Sequence, residues 1–184
     1  MRSHRPRPLA SEEDLYQFAL RALVRRAHSV FEMRRALERR AEKALVRRVL
    51  SRLTQGGLLD DARYARQFAR FHAESRRQGR FRVARELRAR GVADRLIEAA
   101  LDDVFAEVDE SAAIRRRIER RLKQLRGRDA RAALDPRKMA SLYASLLRAG
   151  FSSDSIRREL RAMTRHDVEA FAEPEEEGTA DERG

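Results

Sequence analysis

Two stretches of this chain, LRARGVADRLIEAAL at residues 87–101 and LLRAGFSSDSIRREL at residues 146–160, match each other without a gap when their glycines are superposed. A leucine precedes the glycine by four residues in both, and isoleucine and leucine follow it after six and ten residues. Apolar residues at helical spacing on both sides of a glycine predict a helix–turn–helix unit. Its recurrence favours a repeat architecture over a single irregular bundle.

A third copy of the unit, less complete, lies near the N-terminus. Its residues Ser29, Phe31, Met33 and Leu37 have the same spacing as Gly79, Phe81, Val83 and Leu87. No glycine follows at the position that corresponds to Gly91. Cap signals such as Ser29 with Glu32 and Asp135-Pro136, together with helical apolar spacing throughout, predict about nine helices and no strand.

The predicted fold is therefore all-α, an elongated array of three tandem three-helix repeats. Its parts are a disordered basic arm at residues 1–10, repeats at 11–57, 58–107 and 108–168, and an acidic disordered tail at 169–184. A three-helix unit of this size buries its apolar face poorly alone, so neighbouring units are expected to stack. The tail is assigned because residues 172–184 carry six acidic residues and one arginine, without apolar periodicity.

Several residues receive specific structural interpretations. Asp60 and Asp61 are expected to cap the helix that carries Tyr64, rather than to bind a metal. Asp94 is expected to cap a short helix, and the glycines are expected to serve turns. The matched positions of Phe31 and Phe81 favour packing between helices over stacking on bases.

The charge of the chain points to a polyanionic partner. Its 184 residues carry a formal net charge of +12, and 39 of the 42 basic residues are arginines. Setting the acidic end aside leaves +17 on residues 1–171. Guanidinium groups suit phosphates and carboxylates, and a basic surface favours polyanions through counterion release. Codon bias explains why arginine replaces lysine, but it does not explain the net excess.

Composition also excludes several classes of protein. The absence of cysteine excludes disulfide frameworks and thiolate chemistry. The longest uncharged run, Met139 to Leu147, is too short for a membrane span, and the first residues lack a secretory signal, so we expect a cytoplasmic protein. The four histidines are scattered, and no catalytic motif occurs. We therefore expect no enzyme, no cofactor and no metal site.

The segment from residue 58 to residue 92 carries the features of a known family. It contains Leu58-Leu59-Asp60-Asp61, Tyr64, Phe68, Gly79, Arg82-Val83, Glu86-Leu87 and Gly91-Val92. This helix start of hydrophobic–Asp-Asp–aromatic type, followed by a glycine-led helix ending in Leu-x-x-x-Gly-hydrophobic, resembles the central signature of the RecX family. Residues 20–37 and Gly150-Phe151 also fit, so the resemblance spans about residues 11–165. The arginine content and the acidic tail depart from the family pattern.

This resemblance implies tandem three-helix repeats and a role as modulator of the RecA recombinase. RecX proteins bind in the groove of the RecA–DNA filament, limit its growth, and reduce its ATPase activity and strand exchange. The implied partners are the RecA filament and single-stranded and double-stranded DNA, and we expect a monomer. An elongated basic helical array is compatible with this role, although charge and periodicity do not name the partner.

Three runs of arginine supply the candidate binding residues. They are Arg34, Arg35, Arg39 and Arg40 in the first repeat, Arg76, Arg77, Arg80, Arg82, Arg85 and Arg88 in the second, and Arg115 and Arg116 in the third. If the repeats stack, the first two runs are expected to form a continuous basic strip, suited to phosphates and acidic protein surfaces. The alternative is that they pair internally with Glu32, Glu38 and Glu86.

A second functional class stays open from the residues alone. A general nucleic-acid-binding helical protein, or a helix-turn-helix transcription regulator, would also use glycine-linked helix pairs and a basic surface. Such a regulator needs polar side chains that read bases, and the candidate helices are rich in arginine and poor in asparagine and glutamine. Contacts to the nucleic-acid backbone are therefore favoured over base readout.

Overall fold

Nine helices and no strand make up the part of the chain that the computed structural model describes, residues 11–126 and 136–172. The helices are α1 (Glu12–Arg25), α2 (Val30–Glu38), α3 (Lys43–Gln55), α4 (Asp61–Glu74), α5 (Arg80–Ala89), α6 (Asp94–Glu107), α7 (Glu110–Arg126), α8 (Pro136–Arg148) and α9 (Ser153–Ala172). The predicted all-α class of tandem three-helix repeats is confirmed. The predicted basic arm and residues 173–184 of the predicted tail lie outside the described residues.

Three separate apolar cores correspond to three successive groups of helices. Helices α1–α3 enclose Leu15, Met33, Leu37 and Leu53, each without exposed surface. Helices α4–α6 enclose a second cluster around Val83, Leu87, Ile97 and Leu101. Helices α7–α9 enclose a third around Ile114, Ile118, Leu146 and Ile156. The apolar positions that revealed the repeat in the sequence are therefore the positions that build each core.

Helix caps follow the sequence in most places, with two corrections. Ser29 accepts a hydrogen bond from the backbone N–H of Glu32, and the Glu32 carboxylate accepts one from the N–H of Ser29, which completes the predicted capping box. Asp60 caps α4 as predicted. Asp94 is wrong as a cap: Ala93 occupies that position, and Asp94 is the first residue of a 14-residue helix that is not short. Asp61 does not cap α4 either, because its carboxylate binds a different helix.

The chain divides into two compact units after Glu110. The first unit holds helices α1–α6, so the first two repeats pack as one body. The second unit holds the third repeat. Of the helices described, none combines the length and apolar character that crossing a bilayer requires.

Candidate nucleic-acid and partner interface

The first two repeats are joined by hydrogen bonds at the start of α2. The backbone N–H of Val30 donates to Oδ1 of Asp61 at 2.9 Å, and the hydroxyl of Ser29 donates to the carbonyl of Arg90 at 2.6 Å. The first contact comes from the start of α4 and the second from the end of α5. Since Ser29 is also fully buried, the start of α2 is fixed against α4 and α5 of the second repeat.

Gly91 completes this joint by allowing a close approach. Its φ of +72° lies in the left-handed region, and a β-carbon built there would lie 2.4 Å from Cγ of Phe31. A side chain at position 91 is therefore excluded both by backbone conformation and by space. The sequence predicted a turn at Gly91 but gave no sign that the ring of Phe31 covers it. As a result, the C-terminal end of α5 lies against the N-terminal end of α2.

Tyr64 and Glu32 form a third contact across the joint. The phenol hydroxyl of Tyr64 donates to Oε2 of Glu32 at 3.2 Å. Burial, with the nearby Glu32 carboxylate, raises the pKa of Tyr64 to about 12, so the phenol stays a donor at neutral pH. Although burial opposes ionisation of Glu32, hydrogen bonds from Arg26 and from the N–H of Ser29 lower its pKa. The Asp-Asp–aromatic signature therefore joins two repeats as well as starting a helix.

A matching contact occurs one repeat later. The backbone N–H of Arg80, the first residue of α5, donates to Oε1 of Glu110 at 3.1 Å. Glu110 begins α7 as Asp61 begins α4, and Arg80 begins α5 as Val30 begins α2. Burial raises the pKa of both carboxyls, against the effect of these hydrogen bonds. In the sequence, this contact corresponds to an acidic residue about 30 positions after the first residue of α2 and of α5. The pattern was not recognised as a contact between repeats.

Of the predicted binding arginines, four have side chains that make no ion pair or hydrogen bond with any described residue. They are Arg34, Arg39, Arg85 and Arg116. The guanidinium of Arg35 lies 5.8 Å from the ring centroid of Phe31, and that of Arg40 lies 4.2 Å from the ring of Phe18. These cation–π contacts orient the two side chains but leave their hydrogen-bond donors unused by carboxylates.

Four other predicted arginines are engaged within their own repeats. Arg80 pairs with Glu98 and Asp102, Arg82 with Glu86, Arg88 with Asp94 and Glu98, and Arg115 with the nearly buried Glu159. These ion pairs agree with the alternative that the arginines pair internally. Of the carboxylates involved, only Glu86 was among the predicted partners. Arg76 and Arg77 lie between α4 and α5, where the Arg76 guanidinium lies 5.6 Å from the ring of Phe71.

An exposed phenylalanine accompanies the arginines on each of the two middle helices. Phe81 is 62% exposed and Phe31 is 37% exposed, and each is the second residue of its helix. Arg85 and Arg35 follow four residues later, on the same face. Packing between helices, predicted for both rings, holds for Phe31 on Gly91 and is wrong for the largely exposed Phe81. We call α2 and α5, with these side chains, the Phe–Arg helices.

No metal-binding arrangement accompanies these helices. Among the described side chains, no three histidine, aspartate or glutamate residues come together as potential ligands. The carboxylates at the joint are instead occupied by backbone N–H groups, a phenol and arginine. The chemistry available on the exposed surface is therefore that of guanidinium groups beside aromatic rings, which binds phosphates and stacks on planar groups.

Comparisons with known proteins agree with this geometry. The family model for the second three-helix domain of RecX matches residues 60–101. The chain is 40% identical to the regulatory protein RecX of Halorhodospira halophila over 149 residues, covering 80% of this chain and 87% of that protein. It is 36% identical to that of Stenotrophomonas maltophilia (strain R551-3), covering 87% and 91%.

Solved structures show the same fold. The crystal structure of RecX from Lactobacillus salivarius superposes with a TM-score of 0.69 at 19% identity, covering 84% of this chain and 97% of that one. A second crystal structure of a regulatory protein RecX gives a TM-score of 0.70 at 20% identity, covering 82% and 73%. With relatives of 36–40% identity aligned over most of their length, this chain belongs to the RecX family of regulatory proteins.

Proposed function

We propose that this chain binds the RecA–DNA filament and limits its extension, its ATPase activity and its strand exchange. Its partners in this proposal are the RecA filament and single-stranded and double-stranded DNA. The chain acts as a cytoplasmic monomer and catalyses no reaction itself. Membership of the RecX family supports the regulatory role, and the surface chemistry of the first unit supports the choice of a nucleoprotein partner.

One observation carries the proposal: two successive repeats present the same aromatic and basic side chains at equivalent positions. Phe31 with Arg35 and Phe81 with Arg85 recur on helices that meet end to end at Gly91. A partner that repeats along its length, as a filament does, presents phosphates or acidic groups at regular intervals. A surface that repeats in the same way engages several of them at once.

The composition of the Phe–Arg helices favours the nucleic-acid backbone over base edges. Neither α2 (VFEMRRALE) nor α5 (RFRVARELRA) contains asparagine or glutamine, the side chains that read adenine in the major groove. Arginines without a carboxylate partner, such as Arg34, Arg39 and Arg85, instead contribute sequence-independent affinity for phosphates. This surface therefore suits a regulator that binds a filament independently of the DNA sequence.

The test is an assay of RecA ATPase activity on single-stranded DNA with substoichiometric amounts of this chain. We expect strong inhibition, and we expect R34A/R35A/R39A to weaken it by about tenfold or more in effective concentration. The matched control is R48A/R52A/R70A, which removes the same charge from exposed arginines already paired with Glu12, Glu13 and Glu107. No inhibition, combined with sequence-specific duplex binding, would support a helix-turn-helix regulator instead.

A further inference from the structure

A cleft between α7 and α8 in the third repeat gathers basic side chains within the second compact unit. It has a volume of about 340 Å³ and is lined by Arg117, Arg120, Arg121 and Arg148, with Ser141 and Ser145 on the α8 side. On α7 the arginines are spaced three and four residues apart, and on α8 the serines and Arg148 follow the same rule. Each helix therefore turns one continuous polar face toward the other across the cleft.

The cleft is basic without compensation from its own walls. Of the described residues that line it, none is aspartate or glutamate. The side chains of Arg120 and Arg148 make no ion pair or hydrogen bond with any described residue, and that of Arg121 has the carboxamide of Gln124 as its hydrogen-bond partner at 3.5 Å. Bringing several guanidinium groups together costs free energy through charge repulsion, and a bound anion removes this cost.

A neighbouring arginine on the same helix shows that acids are not simply lacking in this repeat. Arg115, on another face of α7, donates to Glu159 at 3.1 Å, and only 5% of that glutamate is exposed. The third repeat therefore pairs the exposed Arg115 with a nearly buried carboxylate. It leaves Arg120 and Arg148 without a carboxylate partner among the described residues, in a cleft that two serine hydroxyls also line.

We propose that this cleft binds phosphate groups, of the kind carried by a polyphosphate or by a nucleic-acid backbone. Arginine forks and serine hydroxyls are donors that match the oxygens of a phosphate. The floor is formed by Leu142 and Leu146, and no aromatic side chain among the lining residues offers a base a stacking surface. The cleft recognises the phosphates and leaves the rest of the ligand in solvent. Its volume lies at the lower end of the range for small-ligand pockets, about 300–1,000 Å³.

The first test measures binding of inorganic tripolyphosphate to the full chain by calorimetry at low salt. We expect R120Q/R148Q to weaken binding by about tenfold or more, because each loses charge-assisted hydrogen bonds. The control R66Q/R95Q removes the same charge at two exposed arginines outside the cleft, and we expect its affinity to stay within about twofold of the unmodified chain. Absence of binding by the unmodified chain, or equal losses in both variants, would overturn the proposal.

Folding is checked by thermal denaturation, where an unchanged midpoint is expected because both side chains are exposed. If the double variant does not fold, R120Q and R148Q are measured singly, each with an expected loss of about threefold or more. Unchanged affinity in both single variants would overturn the proposal.

The second test identifies the source of the phosphate with a fluorescent oligothymidine and a salt titration. If the ligand is a nucleic-acid backbone, R120Q/R148Q lowers the salt slope by about one to one and a half units, whereas R66Q/R95Q does so less. If the slope is unchanged while tripolyphosphate binding is lost, the ligand is a free polyphosphate compound. The result is independent of RecA inhibition, which is proposed to depend on the Phe–Arg helices.

Discussion

The ring of Phe31 lies against the α-carbon of Gly91, so close that a β-carbon at position 91 would be 2.4 Å from Phe31 Cγ. This contact joins the start of a helix in the first repeat to the end of a helix in the second. The joint also includes the buried Ser29, whose hydroxyl bonds the carbonyl of Arg90. The geometry of the two repeats therefore depends on a glycine and a phenylalanine that are 60 residues apart in the sequence.

Replacing Gly91 with alanine is expected to destabilise the first unit by about 2–5 kcal/mol. About 1–2 kcal/mol comes from the left-handed backbone and about 1–3 kcal/mol from overpacking against Phe31. Gly57→Ala is the matched control, because Gly57 has a φ of +66° but nothing within 4 Å of its added β-carbon. Chemical denaturation should show that G91A loses more stability than G57A, and that F31A/G91A is more stable than additivity predicts. Equal losses in G91A and G57A would contradict the close contact.

Replacing Ser29 with alanine is expected to cost about 2–4 kcal/mol. It removes the cap of α2, worth about 1 kcal/mol, and leaves the carbonyl of Arg90 without its donor, at about 1–3 kcal/mol. The control is Ser11→Ala, which removes an exposed cap whose Oγ accepts from the N–H of Asp14 and donates to the carboxylate of the same residue. Denaturation with urea compares the two variants. A loss in S29A no larger than in S11A would show that the bond to Arg90 contributes nothing.

Replacing Asp61 with asparagine is expected to raise the thermal midpoint at pH 7. Burial raises the pKa of Asp61, so the ionised carboxylate is less favourable in the folded chain than in the unfolded one. The penalty is absent below the ordinary carboxyl pKa of 3.8 and is complete above the raised one. Asparagine keeps an oxygen for the N–H of Val30 and carries no charge, which removes the penalty.

The advantage of D61N should therefore shrink as the pH falls toward the ordinary carboxyl pKa, where Asp61 itself becomes neutral. Midpoints of both proteins measured between pH 7 and pH 4 test this, since groups distant from Asp61 titrate equally in the two. D61A should be less stable than either at every pH, because the N–H of Val30 then loses its acceptor. A pH-independent difference between D61N and the unmodified chain would contradict the assigned cause.

The fold was predictable because it depends on local periodicity. Leu87 and Leu146 precede matched glycines, and both residues lie in cores where the spacing placed them. The joint between repeats was not predictable, because Asp61 and Val30 are separated by 31 positions and meet only through the packing of whole helices. An aspartate at a helix start is normally explained by the cap, and Asp60 already fills that role.

For the arginines of the candidate site, the sequence also did not predict which side chains are paired and which stay free. Their abundance was evident, but Arg34 and Arg80 look alike in the sequence, and only the fold gives Arg80 the carboxylates of Glu98 and Asp102 on α6, at 2.8 and 2.7 Å. Phe81 was interpreted as a packing residue because Phe31 occupies the matching position. The difference arises from Gly91, which offers Phe31 a surface to cover. Which side chains stay free thus depends on neighbours from other helices.

The salt dependence of DNA binding should report the number of phosphates contacted by α2. Each lost phosphate contact lowers the slope of log affinity against log salt by about 0.9 on duplex DNA. We expect R34A/R35A/R39A to lower it by up to about three units, and R48A/R52A/R70A to leave it nearly unchanged, because those arginines are paired with Glu12, Glu13 and Glu107. Fluorescence anisotropy from low to moderate salt measures both slopes. Equal changes would mean that only net charge matters, and would contradict a defined surface on α2.

Replacing Phe81 with alanine should weaken binding of single-stranded DNA with little effect on stability. The ring is 62% exposed, so its loss leaves no cavity, whereas stacking on one base contributes about 1–3 kcal/mol. We expect the dissociation constant for oligothymidine to rise about fivefold or more in F81A. Val24→Ala, which truncates a side chain that is 88% exposed on α1, is the matched control and should leave affinity unchanged.

A second variant, F81L, separates stacking from apolar contact. It keeps an apolar side chain but has no ring, so full affinity in F81L would contradict a stacking role. Loss in both F81A and F81L, with none in V24A, would show that the exposed ring contributes to binding by stacking on a base.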